Sequence, residues 1–550
     1  MNATLLRPLP YADPGRLVLL SAAQAAQPDA LMPMSLPGFE QIRARSHSFS
    51  AVAAFAGEFF NLTAQGEPEQ VPAARVPSNF FDVLGTRPLL GRTFTAEEGT
   101  PGSRRVVLLS YGLWMRAFGG DRTIVGRTVR LDDRDDSVIG VLPHDFDFQF
   151  LGSDVGIWTP RVFELNVLSP QQIQAGAGYL DAVARLRPGV TLRQARIEMD
   201  ALNSQYQSDH PGAPDAGRGL SIDVGGFQQR LVSHIRTAML ILLAAVGLVL
   251  LVTCANVASV VLSRLIARRR DLAVRVALGA SRGALVRLLL AESLLLAALG
   301  GAVGLLVGWS GTHALMALAR DNYPQLAGAG ADPRVFAFTA AISILSGILV
   351  GTLPTLQLSG TGPGPLLRDE GRGSVGSRRR DRLRRLLVVA QVALAMVLLV
   401  GAGLLVRSFI RLQTVSPGFD PAGVLTMQIV LPTTKYPTAE AIVRFYDEAL
   451  RRTRTLPGVQ AAAISSALPL SLSRMSPVLL EGHPSVPLGQ RPVLDIQAIS
   501  PDYPRVMHVP LLSGRLFTER DGPAAPHVAI VNQALVRRFW PDVNPVGQHV

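Results

Sequence analysis

Residues 238–287 read AMLILLAAVGLVLLVTCANVASVVLSRLIARRRDLAVRVALGASRGALVR. The first half, 238–262, exceeds the roughly 20 apolar residues that a helix needs to cross the hydrocarbon core of a bilayer. The second half opens on an arginine run, and by the positive-inside rule such a run stays on the cytoplasmic side. Working outward, three further stretches meet the same length criterion, at about 288–318, 335–358 and 386–409. Before the last of them stands RDEGRGSVGSRRRDRLRR. Arginine clusters therefore occupy both the loop between spans one and two and the loop between spans three and four. The two loops agree on a single orientation. Residues 1–237, a short loop near 319–334 and everything after about 410 then lie on the outer face.

The composition supports this reading. The 550 residues exceed what one hydrophobic core organises. Apolar residues make up 48% and charged residues 17%, with a mean hydropathy of +0.28. A net charge of +12 admits nucleic-acid binding in principle, but the arginines cluster beside apolar runs instead of covering a soluble face. Nucleic acid is not an expected partner. Lys435 is the only lysine, so no GxxxxGK[ST] loop can cradle nucleotide phosphates in this sequence. Cys254, inside the first span, is the only cysteine, which excludes intrachain disulfides and multi-cysteine metal sites.

The start, MNATLLRPLPYADPGRL, has no apolar core able to export the region that follows, so a preceding span is expected. The end, NPVGQHV, falls within a predicted strand, and truncation is expected there too. The two outer regions also resemble each other. VPSNFFDVLGTRPLLGRTFTAEEG from Val76 aligns with ISPDYPRVMHVPLLSGRLFTERDG from Ile499, placing Gly91, Arg92 and Phe94 on Gly514, Arg515 and Phe517. Farther on, one gap brings Val125 and Gly126 onto Val546 and Gly547. Locally both regions read as α+β. RRVVLLS and HVAIVN are expected strands that run into helices anchored by Trp114 and Phe118 and by Phe539 and Trp540. TVRLDDRDDSVIGVLP reads as a hairpin, and TLRQARIEMDALNSQYQSDHPGAP as an amphipathic helix with a threonine cap.

ARRRDLAVRVALGASRGALVRLLLAESLLLAALGGAVGLLVG from Ala267 resembles the FtsX-like permease signature, and NFFDVLGTRPLLGRTF resembles the MacB-type periplasmic core domain. The order of core domain, permease domain and a second unit opening at GSRRRDRLRRLLVVAQVALAMVLLVGAGLLVRSFIRLQ is similar to that of the duplicated orphan permeases of acidobacteria. The resemblance implies a multi-pass protein of the bacterial inner membrane: a four-span helical bundle carrying α+β extracytoplasmic core domains. Its implied parts are a first core domain over 1–236 and an FtsX-like permease domain over 237–360. A basic cytoplasmic linker at 361–385, the fourth span at 386–409 and an incomplete second core domain over 410–550 complete it.

The same resemblance implies an ATP-binding-cassette system of the mechanotransmission kind, in which a separate ATPase subunit moves the outer domains and no substrate passes between the spans. Besides membrane lipid, the implied partner is a periplasmic adaptor or envelope protein. The duplication implies a pseudo-dimer within a full-length chain. An FtsX-like signalling subunit that controls an envelope hydrolase is the alternative reading.

Within this frame the segment from Arg268 to Arg287 is the expected ATPase-coupling element. A short helix with arginines able to pair with acidic groups, ending in a tight turn, supplies its parts: Arg268, Arg269, Arg270, Asp271, Arg275 and Arg282, with Gly279 as the helix end. The plainer role for these arginines is anchorage at phospholipid headgroups. In span two, Gly300, Gly304 and Gly308 fall four apart and predict a helix-packing face, whose partner is span one, span three or a second subunit. Cys254, Asn256 and Glu292 are polar groups at lipid depth, and Glu292 lies close enough to Arg287 to pair with it. His144, Asp145 and Asp147 with Asp132, Asp133, Asp135 and Asp136 could be assembled into a divalent-ion site. The second cluster sits in a predicted turn, where aspartate is favoured for backbone reasons. No catalytic, metal or cofactor residue is expected.

Overall fold

The computed structural model describes residues 11–550, with longer interruptions at 268–273, 276–280, 320–332 and 359–374 and shorter ones of one to four residues elsewhere. Contacts divide the chain into two compact units. One holds Val232–Val415 and the other Pro8–Leu231 together with Ser416–Val550.

The membrane unit contains four long helices, Phe227–Ala267, Arg282–Ala319, Pro333–Leu358 and Val375–Thr414. Their apolar stretches, Thr237–Val261, Val286–Ala314, Val335–Thr352 and Val388–Thr414, are each long and apolar enough to cross a membrane. Side chains such as Leu299 and Leu399, 59% and 69% exposed within the chain, face the outside of the bundle, as the bilayer solvent requires.

The outer region that precedes the first span is built on a 12-stranded sheet. The main path runs Leu220–Gly226, Leu17–Gln24, Gly178–Leu186, Phe49–Thr63, Glu69–Arg75, Ile157–Thr159, Val106–Leu109, Arg134–Val141, Leu90–Gly91. Pairing is antiparallel except between Ile157–Thr159 and Glu69–Arg75 and between Val106–Leu109 and Arg134–Val141. The 15-residue strand Phe49–Thr63 belongs to both halves of this sheet. Its first part pairs with Gly178–Leu186 and its second part, from Ala56 to Leu62, with Glu69–Arg75.

Each half of the sheet has its own core. Helices Leu36–Arg45 and Leu192–Asp209 cover the first, burying Phe39, Ile42, Ala195 and Met199 against Val52, Ala54, Ala182 and Ala184. Ser35 accepts from Gly38 N at 3.1 Å to cap the first helix. Thr191 and Gln194 form a reciprocal capping box on the second, so the threonine-capped helix expected there is present. In the second half Trp158 is enclosed by Phe80, Phe81, Phe146 and Phe148, at centroid distances of 5.4, 5.6, 5.6 and 5.3 Å.

The expected hairpin is Thr128–Leu131 with Arg134–Val141. Asp132 and Asp133 form its two-residue turn at φ values of 48° and 61°, the left-handed region that such a tight turn requires. RRVVLLS yields strand Val106–Leu109, followed by helix Tyr111–Phe118, with Ser110 accepting from Leu113 N at 3.2 Å.

Residues 416–550 reproduce part of this design. Helix Gln533–Phe539 is capped by Asn532, at the position aligned with Ser110. Gly514 and Gly547 adopt φ values of 82° and 93°, as Gly91 and Gly126 do at 77° and 93°. The expected strand in HVAIVN does not form; residues 527–532 are unpaired backbone. The reason lies in strand order. In the first region the aligned strand sits between Ile157–Thr159 and Arg134–Val141. Among the described residues no strand stands beside 527–532, so their backbone donors and acceptors have no ladder to join.

Candidate coupling segment and helix interface

Of the coupling residues expected from sequence, Arg268, Arg269, Arg270, Asp271 and Gly279 lie outside the described residues. Arg275 is described, exposed and in helical conformation beside Val274. Arg282 opens the helix of span two. Ser281 Oγ accepts from Ala284 N at 3.3 Å and so caps that helix, a role that its place in ALGASRG does not mark. The segment joining spans one and two therefore ends at a defined helix start.

The glycine stripe of span two is separate from the contact that span two makes with span three. Among the described residues, a Cβ added at Gly300, Gly304 or Gly308 would meet nothing within 4 Å. The contact between spans two and three is made by neighbouring residues instead. A Cβ at Gly301 would lie 2.5 Å from Ser343 Oγ, and one at Gly347 would lie 3.0 Å from Ala297 Cβ and 3.2 Å from Leu294 Cδ2. One at Gly351 would approach Leu290 Cδ2 to 2.9 Å and Ser293 Oγ to 3.2 Å. The close approach thus rests on Ser343, Gly347 and Gly351 of span three, set four apart, against Ser293, Ala297 and Gly301 of span two. In SILSGILVG the same small-residue spacing was available to read. Ser293, Leu289 and Val350 are buried at this interface level, while Cys254 and Ala258 are buried in span one.

In the outer region, charge is placed structurally. Arg75 and Glu58, both nearly inaccessible, form a buried ion pair through Arg75 Nε, and the Arg75 guanidinium stands 5.3 Å over the Phe60 ring. Arg105 contacts Asp136 at 3.2 Å; burial nevertheless pushes the Asp136 carboxyl above its ordinary range, with the arginine opposing that shift. Asp132 accepts from Asn61 N at 3.0 Å and Asn61 Nδ2 at 2.8 Å. These aspartates serve turn and ion-pair geometry. Among the described residues no group of three or more histidine, cysteine, aspartate or glutamate side chains is placed to hold a metal ion, and Asp147 lies outside those residues.

The family model described as MacB-like periplasmic core domain matches residues 3–202 and 386–550, and that described as FtsX-like permease C-terminal matches residues 243–363. The macrolide export ATP-binding/permease protein MacB of Chromobacterium violaceum is 26% identical over 289 residues, covering 52% of this chain and 42% of that protein. The MacB of Bdellovibrio bacteriovorus is 25% identical over 296 residues, 53% of this chain and 43% of that protein. The chain thus spans less than half the length of these relatives. The uncharacterized ABC transporter permease YknZ of Bacillus subtilis is 28% identical over 167 residues, 30% of this chain and 40% of that protein. Among solved structures, the periplasmic region of MacB from Actinobacillus actinomycetemcomitans matches with a TM-score of 0.30 at 14% identity, over 40% of this chain and 92% of that one.

Proposed function

The chain belongs to the MacB-like and FtsX-like family of ABC permeases and is a multi-pass inner-membrane protein, and from that premise we propose that it couples a separate ATPase to work done at the outer face of the membrane. The observation that carries the proposal is the combination of two outer regions matched by the periplasmic core model with a sequence whose only lysine is Lys435. These 550 residues hold no lysine for a phosphate-binding loop, which supports hydrolysis outside the segment described by this sequence, and the proposal assigns it to a separate ATPase subunit. Coupling is assigned to Arg268, Arg269, Arg270, Asp271, Arg275, Gly279 and Arg282, between the ends of spans one and two. In this position they reach an acidic cytoplasmic partner, and guanidinium forks bind carboxylates in two-point geometry.

The work is export or extraction by mechanotransmission: movement of the outer domains, with no substrate conducted between the spans. The relatives named as macrolide export proteins favour export over control of an envelope hydrolase. The two outer regions are read as a duplication that forms a pseudo-dimer. The matching backbone conformations of Gly91 with Gly514 and of Gly126 with Gly547 support this, as does the hydrogen bond of 3.2 Å from Asn61 Nδ2 to Val430 O.

The test is co-purification from the native membrane, comparing wild type with a variant in which Arg268, Arg269 and Arg270 are changed together to Ser. Retention of a nucleotide-binding ATPase by wild type, and its loss in the variant at equal membrane abundance, is the expected result. Absence of any ATPase from both proteins under mild crosslinking would remove the engine from this reading.

A further inference from the structure

Residues 224–230 read VGGFQQR and put two glycines where the strand Leu220–Gly226 meets the helix Phe227–Ala267. Two glycines between regular elements read as a hinge, because glycine restricts the backbone least. The structure gives them a different reason. Neither has a positive φ, and both are held in the ladder, Gly225 opposite Leu19 and Gly226 opposite Val18. An added Cβ at Gly226 would meet Gln229 Cβ at 3.7 Å, an ordinary contact. At Gly225 it would stand 2.9 Å from Arg230 Cγ and 3.0 Å from Arg230 Cδ, and closer still to Nε. The space left by the missing side chain of Gly225 is where the Arg230 stem crosses the strand.

Beyond Gly225 the Arg230 guanidinium forms an ion pair with Asp223, which lies two residues earlier on the same face of the strand. Ser21, opposite Asp223 in the ladder, donates its hydroxyl to Asp181 Oδ1 at 3.0 Å, which leaves Asp223 to the arginine. The paired side chains are 24% and 26% exposed, so solvent screens them less than a surface bridge. A cation near the start of a helix opposes the helix dipole, and this first turn has no acidic residue of its own. Asp223 supplies the missing charge from the strand. The division of the chain into two compact units agrees with such a fastening. It falls between Leu231 and Val232, just past Arg230 and inside the continuous helix, and not at the glycines.

We infer that Arg230 staples the first turn of this helix to the strand before it, and that position 225 is glycine in order to seat the staple. Gly225 and Gly226 then form a fixed corner, and residues 227–230 belong mechanically to the outer region. The inference concerns one joint and does not rest on coupling to an ATPase, so the two readings fail separately.

The test is amide hydrogen exchange of the full chain in lipid nanodiscs, read at residues 231–234, whose helical hydrogen bonds close on the carbonyls of 227–230. Asp223→Asn keeps the size of the side chain and removes its charge, and it is expected to raise exchange there at least about threefold. Gly225→Ala removes no charge but should also raise exchange, because the new methyl displaces the Arg230 stem. A hinge predicts the opposite sign for that variant, since alanine restricts the backbone more than glycine. Arg230→Lys retains a cation on a long stem and should stay within about twofold of wild type. Exchange in the helix Leu192–Asp209 reports whether the outer region remains folded and should not change. Slower or unchanged exchange in Gly225→Ala would overturn the inference, as would unchanged exchange in Asp223→Asn. If Gly225→Ala also loosens Leu192–Asp209, Asp223→Asn decides alone.

Discussion

Arg92 grips Glu98 through two parallel hydrogen bonds, of 3.0 and 2.6 Å, and Glu98 also accepts from Thr95 N at 2.8 Å. Arg515 repeats the arrangement in the second outer region, holding Asp521 at 2.7 Å with both nitrogens while Asp521 accepts from Thr518 N at 2.8 Å. The arginine's hydrogen bonds hold each carboxyl below its ordinary range. The same corner is thus built twice, with a glutamate in one copy and a shorter aspartate in the other.

For Glu98 the linkage runs in one direction. Its folded value lies below the unfolded value of 4.5, so its contribution to stability is present above that pH and is lost as pH falls through the folded value. Glu98→Gln is expected to cost about 1 kcal/mol at neutral pH, since Arg92 is half exposed. The variant should also flatten the acid limb of thermal melts recorded by tryptophan fluorescence between about pH 7 and pH 3. Asp136 should behave oppositely: burial raises its folded value above 3.8, so its contribution is most favourable in acid and is lost as pH rises through the folded value. An unchanged acid limb in Glu98→Gln would contradict the assignment.

His508 occupies a backbone conformation of φ 52° at the position aligned with Gly85, which has φ 70°. Only glycine adopts this region without steric cost. His508→Gly is expected to stabilise the second outer region by about 1 kcal/mol, read as a higher denaturation midpoint. Gly85→Ala should do the reverse in the first region, where the new Cβ would stand 2.4 Å from Ala12 Cβ.

The buried pair of Arg75 and Glu58 separates charge from packing. Removing one partner, as in Glu58→Gln, leaves an uncompensated buried guanidinium and should cost about 3–5 kcal/mol. Replacing both partners, Glu58→Leu with Arg75→Met, should cost clearly less than the single change in urea denaturation. Equal costs would mean that the pair contributes through shape alone.

The contact of spans two and three predicts an asymmetry between glycines. In a Cys254→Ser background, cysteines placed at Ala297 and Gly347 should crosslink. Adding Gly351→Ile should abolish the crosslink, because the backbones can no longer approach. Adding Gly304→Ile should leave it intact, since none of the described residues stands within 4 Å of a Cβ at that position. Loss of the crosslink with both substitutions would move the interface onto the glycine stripe.

Much of this architecture was legible because its causes are local. The four spans follow from length and hydropathy, the helix at 192–209 from Thr191 and Gln194, and the hairpin from the aspartate pair at its turn. Sheet order was not legible. Phe49–Thr63 reads as one apolar strand, and nothing within it says that Gly178–Leu186 and Glu69–Arg75 divide its length. The expected strand in HVAIVN failed for the same reason, since its partners are a matter of distant sequence. The contact between spans two and three was not legible from span two alone: which small-residue face meets a neighbour depends on the neighbour, and Ser343, Gly347 and Gly351 set it.

Strand Leu220–Gly226 ends where helix Phe227–Ala267 begins, and Phe227 is buried against Tyr11 and Phe148. There is no slack in that joint. The strand is laced to Leu17–Gln24 through seven successive residue pairs, from Val18 with Gly226 to Gln24 with Leu220. The last residue of the strand and the first of the helix are thus held by different means, one by a ladder and the other by an aromatic cluster, so neither fastening can loosen at Gly226 without straining the other.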